Sequence, residues 1–315
     1  QMSPMLYPRM KKLLEEELSV KVLGYVPKVE DCVIESRHLG LVLPEEIPEL
    51  KNRLGKLSEI LEKTLDIDGI LKLAGKAPEL SIPEFSDLIR KDSAFGYRSS
   101  EKVRIGVADD EAFCFFYADN LSLLEQMGAE LVHFSPIHDT ELPGDLDGLL
   151  LCGGYPELNG KALEENQEMC SSIRKAVEGG MPCLAECGGF MYLHQEMEDM
   201  EGNFRKVCGV IPGRSFRTPK LTRFGYITLT EKKDSGLGEI PAHEFHYFDS
   251  TDCGTDFHAS KPASTRGWDC MHYEGRLMAG FPHLYYYGNP KVPVHFLKNA
   301  LEYKKERRQK KDAEI

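Results

Sequence analysis

The hydrophobic pattern changes character near residue 103. Upstream, apolar residues recur mostly at helical spacing. Met10–Leu18 reads as a short charged helix, and Leu54, Leu57, Ile60, Leu61 and Leu65 mark one or two amphipathic helices within 46–75. Between them Val20–Val26 alternates and reads as a strand, although a lone strand has no sheet to join. From Pro78 to Lys102 the periodicity is weak, with prolines, serines and scattered charges, which predicts a linker.

From Val103 onward, strand and helix alternate. Val103–Ala108, Glu130–Phe134, Gly148–Leu151 and Pro182–Glu186 read as strands, and Tyr117–Met127, Ala162–Val177 and Gly188–Gln195 as helices. That rhythm predicts an α/β fold with an open, mostly parallel sheet. Beyond Val210 the segments turn short and β-rich, as in Gly225–Thr230 and Glu244–Phe248, before a closing helix over Val294–Tyr303. The basic run Lys304–Lys311 reads as a frayed helix end whose charges face water. The expected organisation is therefore an N-terminal part over 1–82, a linker over 83–102, the main domain over 103–305 and a basic tail over 306–315.

Composition narrows the function. The chain of 315 residues suits two domains, one of them partial. A formal net charge of −12 argues against a nucleic-acid surface, which needs a basic patch, and favours small-molecule partners. No apolar run approaches the roughly 20 residues that cross a bilayer, and the start lacks a signal pattern, so no membrane partner is expected and the cytoplasm is the predicted location. Nine cysteines without a CxxC pair indicate neither a zinc site nor a disulfide framework, and no metal ligand set is predicted. The chain begins Gln1-Met2, from which a piece of a longer or processed sequence is expected.

The sharpest chemical signal is Pro182-Cys-Leu-Ala-Glu-Cys-Gly-Gly-Phe-Met-Tyr192, a buried strand running through Cys187 straight into a helix. Ala185 and Gly189, two residues to either side, are small, as a tight nucleophile elbow requires. A thiolate there would be stabilised by the unpaired N–H groups and dipole of the helix N-terminus. The backbone N–H of Gly188 would face the attacked carbonyl, and the loop Cys152-Gly-Gly-Tyr-Pro-Glu157 offers Gly153 and Gly154 as the second side of an oxyanion hole and glutamine-binding loop. Among ten histidines, His133 and His194 lie in or beside regular elements and read as structural. His283 follows a strand and precedes Gly288-Asn289-Pro290, a strand-end position that suits the base. In Ala242-His-Glu-Phe-His-Tyr247, His243 and His246 are read as sharing one strand face, which admits a metal pair but better suits a substrate-pocket wall formed with Glu244 and Tyr247.

Four motifs in order resemble the glutaminase domain of the cobyrinate a,c-diamide synthases: Cys-Gly-Gly-Tyr-Pro-Glu (152–157), Glu-Cys-Gly-Gly-Phe-Met-Tyr-Leu (186–193), His-Glu-Phe-His-Tyr (243–247) and His-Leu-Tyr-Tyr-Tyr-Gly-Asn-Pro (283–290). The resemblance implies a flavodoxin-like class I glutamine amidotransferase, with Cys187 as nucleophile, His283 as its partner and no third carboxylate. Upstream, Val22-Leu-Gly-Tyr-Val-Pro27 and Ser36-Arg-His-Leu-Gly-Leu41 resemble the end of the family's ATP-dependent amide-forming domain, so residues 1–82 would be its remnant. L-glutamine, a tetrapyrrole such as cobyrinate, ATP and Mg2+ are the implied substrates and cofactors. His-Glu-Phe-His favours this branch over cobyric acid synthases, while enzymes that diamidate nickel sirohydrochlorin share the same architecture.

Two departures stand out. Phe281-Pro-His-Leu-Tyr-Tyr286 replaces the family's Tyr-x-His-Leu-His-Phe, so a second histidine is lost and a proline precedes the first. No segment fits G-x-x-x-x-G-K-[ST]; Gly154–Ala162 comes nearest, with spacing one residue too long and Ala162 where a magnesium-binding hydroxyl belongs. A missing or separate ATP-binding domain is therefore expected. Two rival readings remain, a glutaminase-like binding module and a cysteine hydrolase such as a γ-glutamyl peptidase on the same scaffold.

Overall fold

The computed structural model describes residues 1–34, 42, 44–81, 101–233 and 235–313. The segment Ser36–Leu41 and nearly all of the predicted linker lie outside the described residues. The chain divides into two compact units, Gln1–Pro83 and Glu84–Ile315.

In the first unit, helices α1 (Tyr7–Glu17), α2 (Leu50–Thr64) and α3 (Ile67–Ala74) match the helical spacing read upstream. Asp66 caps α3 by accepting from Gly69 N at 2.9 Å, which ends α2 and starts α3 within three residues. The strand expected over 20–26 does not form. Only Gly24 makes a bridge, to Leu65, because no second strand in the described part of this unit offers a ladder.

The second unit is built on a six-stranded sheet. Its strands in chain order are β1 (Val103–Ala108), β2 (Ala129–Phe134), β3 (Gly148–Leu151) and β4 (Cys183–Glu186), followed much later by β13 (His272–Glu274) and β14 (Leu277–Gly280). The spatial order is β13-β14-β4-β3-β1-β2, parallel throughout except for the antiparallel edge strand β13. This is the expected open, mostly parallel sheet. Four helices accompany it, α4 (Ala118–Gln126), α5 (Gly160–Glu165), α6 (Gln167–Glu178) and the closing α8 (Lys291–Ala313), with a short α7 (Gly188–Tyr192) after β4. The single helix expected over 162–177 is two, since Asn166 leaves helical geometry and caps α6 through Met169 N. The helix expected over 188–195 stops at Tyr192, and the chain turns into strand β5 (His194–Glu198).

Strand alternation divides the core into two layers. Ile105, Val107, Leu150, Leu184 and Met278 face one side, with Leu121 and Leu124 of α4 and Phe296, Leu297 and Ala300 of α8. Leu149, Leu151, Cys183, Ala185 and Ala279 face the other, with Met169 and Ile173 of α6 and Phe190 and Met191 of α7.

Two smaller sheets are built from the chain between β4 and β13, with one strand added from beyond β14. One holds β5 with β6 (Phe204–Lys206), β7 (Ile211–Arg217) and β10 (Phe248–Ser250), in the order β10-β7-β5-β6. The other holds β8 (Arg223–Glu231), β9 (Glu239–His246), β11 (Phe257–Ser260), β12 (Gly267–Cys270) and a two-residue β15 (His283–Leu284), in the order β12-β11-β8-β9-β15. Met197, Ile211 and Phe248 join the second core layer, whereas Ile227, Leu229 and Phe257 join the first.

The basic tail departs from its expected fraying. Helix α8 continues to Ala313, and Lys304 and Arg307 reach the fully buried Asp147 at 3.2 and 3.0 Å. Asp147 also accepts from Arg104 N at 2.9 Å. A buried carboxylate demands partners, and the tail supplies them.

Candidate active site

The elbow is built as its small flanking residues require. Strand β4 ends at Glu186, Cys187 takes a left-handed φ of 47°, and α7 begins at Gly188. A positive φ at a residue carrying a Cβ costs about 1–3 kcal/mol and marks a position over-determined by its surroundings. Here Cys187 N donates to Gly280 O at 2.8 Å and Met191 N donates to Cys187 O at 2.9 Å, which clamps the turn. Any Cβ on Gly189 would collide with the Leu151 carbonyl, so only glycine lets α7 lie across β3.

The Gly-Gly loop after β3 folds against this turn. Gly154 has φ 155°, and a side chain there would strike the Ala112 carbonyl. A Cβ placed on Gly188 would lie 3.1 Å from Gly154 N, and one on Gly153 would lie 2.6 Å from Cε1 of His283. Gly153 therefore packs against the His283 ring, and Gly154 against the turn that follows Cys187.

His283 is brought in by the other end of the domain. It follows β14 by three residues and lies in β15, paired with His243 of β9. The buried Asn120 of α4 holds that segment, donating to Leu284 O at 2.7 Å and accepting from Tyr286 N at 2.9 Å. The imidazole packs edge-on against Phe115 with ring centroids 4.7 Å apart. Burial alone would push its ionisation down. The neighbouring Cys187 sulfur and then the Glu186 carboxylate outweigh burial, and the imidazolium is held up to about 10. Sulfur, imidazole and carboxylate thus meet inside a buried site.

Glu186 has no counterpart in the expected Cys-His pair without a third carboxylate. Its Oε2 lies 3.6 Å from His283 Nδ1, and its other oxygen has no hydrogen-bond partner among the described residues. Pattern reading treats this residue as the end of a buried strand and assigns it no role. The available signal is a charged side chain at the buried terminus of a strand, one residue before the nucleophile. Phe115 is also absent from the sequence reading, because its contact with His283 spans 168 positions of chain, a separation no local periodicity records.

The third motif divides in two. In β9 side chains alternate, so His243 and Phe245 share one face and Glu244 and His246 the other; the expectation that His243 and His246 share a face fails because they stand three residues apart. His243 is partly exposed and lies edge-on to Tyr226 and Phe224, at 5.5 and 6.2 Å. Burial, and then the charge of His283, push its ionisation down. Glu244 and His246 are buried and bonded to each other at 2.9 Å. His246 also bonds Phe248 O and stacks on Phe281 at 4.1 Å, while Glu244 accepts from Trp268 Nε1 at 3.2 Å. Tyr247 is partly buried against the second core layer.

The described residues do not fit the ATP and magnesium that the resemblance implies. Gly160-Lys161, the nearest approach to a phosphate loop, opens α5, and Lys161 is exposed and paired with Glu165 at 3.8 Å. Among the described residues no three His, Cys, Asp or Glu side chains are placed to hold a metal ion, and no helix is long and apolar enough to cross a membrane.

Comparison with known proteins supplies a family. Residues 104–290 match the CobB/CobQ-like glutamine amidotransferase domain. A cobyrinate a,c-diamide synthase from Caldanaerobacter subterraneus subsp. tengcongensis is 37% identical over 287 residues, 89% of this chain and 61% of that protein. One from Clostridium tetani is 37% identical over 308 residues, 94% of this chain and 65% of its own length. The chain thus spans under two thirds of the length of these relatives. A solved structure titled glutamine amidotransferase covers 62% of this chain at 19% identity with a TM-score of 0.47, a likeness too slight to argue from.

Proposed function

The chain belongs to the CobB/CobQ-like glutamine amidotransferase family, and from that premise we propose that it hydrolyses L-glutamine at Cys187 and His283, supplying ammonia for ATP-dependent amidation of the a and c carboxylates of cobyrinate. The observation that carries the glutaminase reading is the pairing of an elbow cysteine at φ 47° with a buried imidazolium held up to about 10.

The chemistry follows from that pair. The Cys187 thiolate attacks the side-chain amide carbon of glutamine, and the carbonyl oxygen, now negative, is met by backbone N–H groups of the Gly188 and Gly154 loops. As the tetrahedral intermediate collapses, the His283 imidazolium gives its proton to the departing nitrogen, the C–N bond breaks and ammonia leaves a thioester on Cys187. Neutral His283 then takes a proton from water, whose oxygen attacks the thioester. Glutamate leaves, and the thiolate–imidazolium pair is restored.

The acceptor is proposed from the two relatives named as cobyrinate a,c-diamide synthases and from the four motifs. ATP and Mg2+, which that amidation would need, would be held on a further domain or a separate subunit, with residues 1–82 as a remnant of that half and the cytoplasm as location. Cobyrinate and nickel sirohydrochlorin are distinguished by offering each, with ATP and glutamine, to the chain joined to an ATP-dependent half and weighing the diamide formed.

The glutaminase reading is tested on the chain itself with 6-diazo-5-oxonorleucine, a glutamine analogue that alkylates an activated nucleophile in a formed glutamine pocket. Peptide mass spectrometry should find the added mass on Cys187 and none after Cys187→Ser. A folded wild-type chain that takes up no label, or takes it up elsewhere, overturns the reading for this chain.

A further inference from the structure

We propose that Glu186, the residue immediately before the nucleophile, is the positioning carboxylate of this site, accepting from Nδ1–H of His283 and so fixing which ring nitrogen faces Cys187. The inference rests on the glutaminase reading of Cys187 and His283 and adds a third member, supplied from the nucleophile's own strand.

Four observations converge on it. First, Glu186 Oε2 and His283 Nδ1 lie 3.6 Å apart, and both side chains are about nine-tenths buried or more. Second, Nδ1 of His283 and Oε1 of Glu186 are buried polar atoms with no hydrogen-bond partner among the described residues. Leaving such groups unpaired destabilises a fold, and the two deficits can cancel against one another. A separation just beyond hydrogen-bond reach suits a catalytic contact that tightens when substrate binds.

Third, the backbone places Glu186 for this task. It pairs in parallel register with Gly280, the last residue of β14, whose chain reaches His283 three residues later. Glu186 ends β4 and Cys187 opens the left-handed turn that follows, so one strand end presents both the carboxylate and the sulfur to the histidine. Fourth, the other titratable groups around the carboxylate stay neutral. Tyr286 and Cys152 are pushed well up, and Tyr117 is pushed up, by burial first and by the charge of Glu186 second. His243, across β9, is pushed down by burial and then by His283, which leaves it uncharged as well. His283 is then the charged partner the carboxylate faces, and the carboxylate favours an imidazolium with Nδ1 protonated.

The experiment reads His283 directly. In protein labelled with 13C at histidine Cε1, the midpoint of the His283 resonance, assigned by its loss in His283→Gln, is followed by NMR in the wild-type chain, Glu186→Gln and Glu186→Asp. The midpoint should fall in Glu186→Gln and recover partly in Glu186→Asp. Glutaminase assays of the same proteins should show kcat down about 10- to 100-fold with KM for glutamine within about twofold, the range typical of losing an outer-shell partner. The alkaline limb of the kcat/KM profile should move to lower pH. An unchanged His283 midpoint in a folded Glu186→Gln protein overturns the proposal. Should Glu186→Gln fail to fold, an unchanged midpoint in Glu186→Asp overturns it equally, because one methylene withdraws the carboxylate from Nδ1. Labelling of Cys187 by 6-diazo-5-oxonorleucine reports separately on the glutaminase reading, so the failure of either is recognised on its own.

Discussion

Among the described residues of the second unit, two carboxylate–histidine pairs lie buried, and they are finished to different degrees. Glu244 and His246 approach to 2.9 Å, both glutamate oxygens have partners, and both ring nitrogens are bonded. Glu186 and His283 stand 3.6 Å apart, with an oxygen and a nitrogen left unsatisfied and a sulfur beside the ring. A satisfied pair has no free lone pair or proton to offer and can only hold structure. An unsatisfied pair keeps its proton available, and that availability is what acyl transfer needs. The two pairs are also near neighbours along one path, since His246 stacks on Phe281, two residues before His283.

The contrast can be broken by substitution. The largest effect should come from Cys187→Ser, which is expected to lower glutaminase turnover by at least about 10⁴-fold, as loss of a covalent nucleophile does in triad enzymes, while the thermal midpoint stays within a few degrees. His283→Asn should follow, with turnover down about 10²- to 10⁴-fold, the range for general acid–base groups. Either variant retaining wild-type turnover would falsify the assignment of the reactive pair.

At the satisfied pair the sign of the damage should reverse. Glu244→Ala leaves His246 Nε2 and Trp268 Nε1 without their partner in a buried setting and takes one of two carboxylates from the Arg223 guanidinium, which keeps Asp249 at 3.5 Å. Urea unfolding should show about 3–5 kcal/mol lost, and whatever remains folded should still take up label at Cys187. Full stability with lost labelling would mean that Glu244 belongs to the chemistry after all.

Stability against pH should sharpen the contrast further. His283 ordinarily ionises near 6.5 and is raised to about 10 in the fold, so its protonated form stabilises the folded chain. That contribution is complete below about 6.5 and fades as pH climbs through about 10. Unfolding midpoints measured from pH 6 to 10 should fall accordingly, and the fall should be shallower in Cys187→Ser, which removes the sulfur that helps hold the imidazolium. The smallest effect is expected at His243. This ring is partly exposed, makes edge-on contacts with Tyr226 and Phe224 and belongs to neither carboxylate–histidine pair, and His243→Ala should change turnover by less than about threefold.

How much of this was legible beforehand follows from how local each signal is. The elbow could be read because its requirements lie within five residues: a buried strand, a reactive side chain, small neighbours and a helix start. The Gly-Gly loop could be read for the same reason. The alternation of β1 to β4 with helices announced the parallel sheet, since each element there buries a whole face or stripe of its own. The identity of the histidine was inferable from its place after a strand, but its contact with Phe115 and the clamp by Asn120 across more than 160 positions of chain were not.

What the sequence by itself determined is the elbow turn at Cys187, the glycine loop packed against it and the class of fold, because these depend on spacing within single elements. Only the tertiary structure decided that Glu186 looks at His283, that His243 and His246 part to opposite faces, and that Lys304 and Arg307 neutralise Asp147. A charged residue in a linear pattern carries no mark of its partner, since its energy is set by burial and by whatever other strands and helices bring within a few ångströms. Periodicity reports which way a side chain faces, and the fold decides what it meets there.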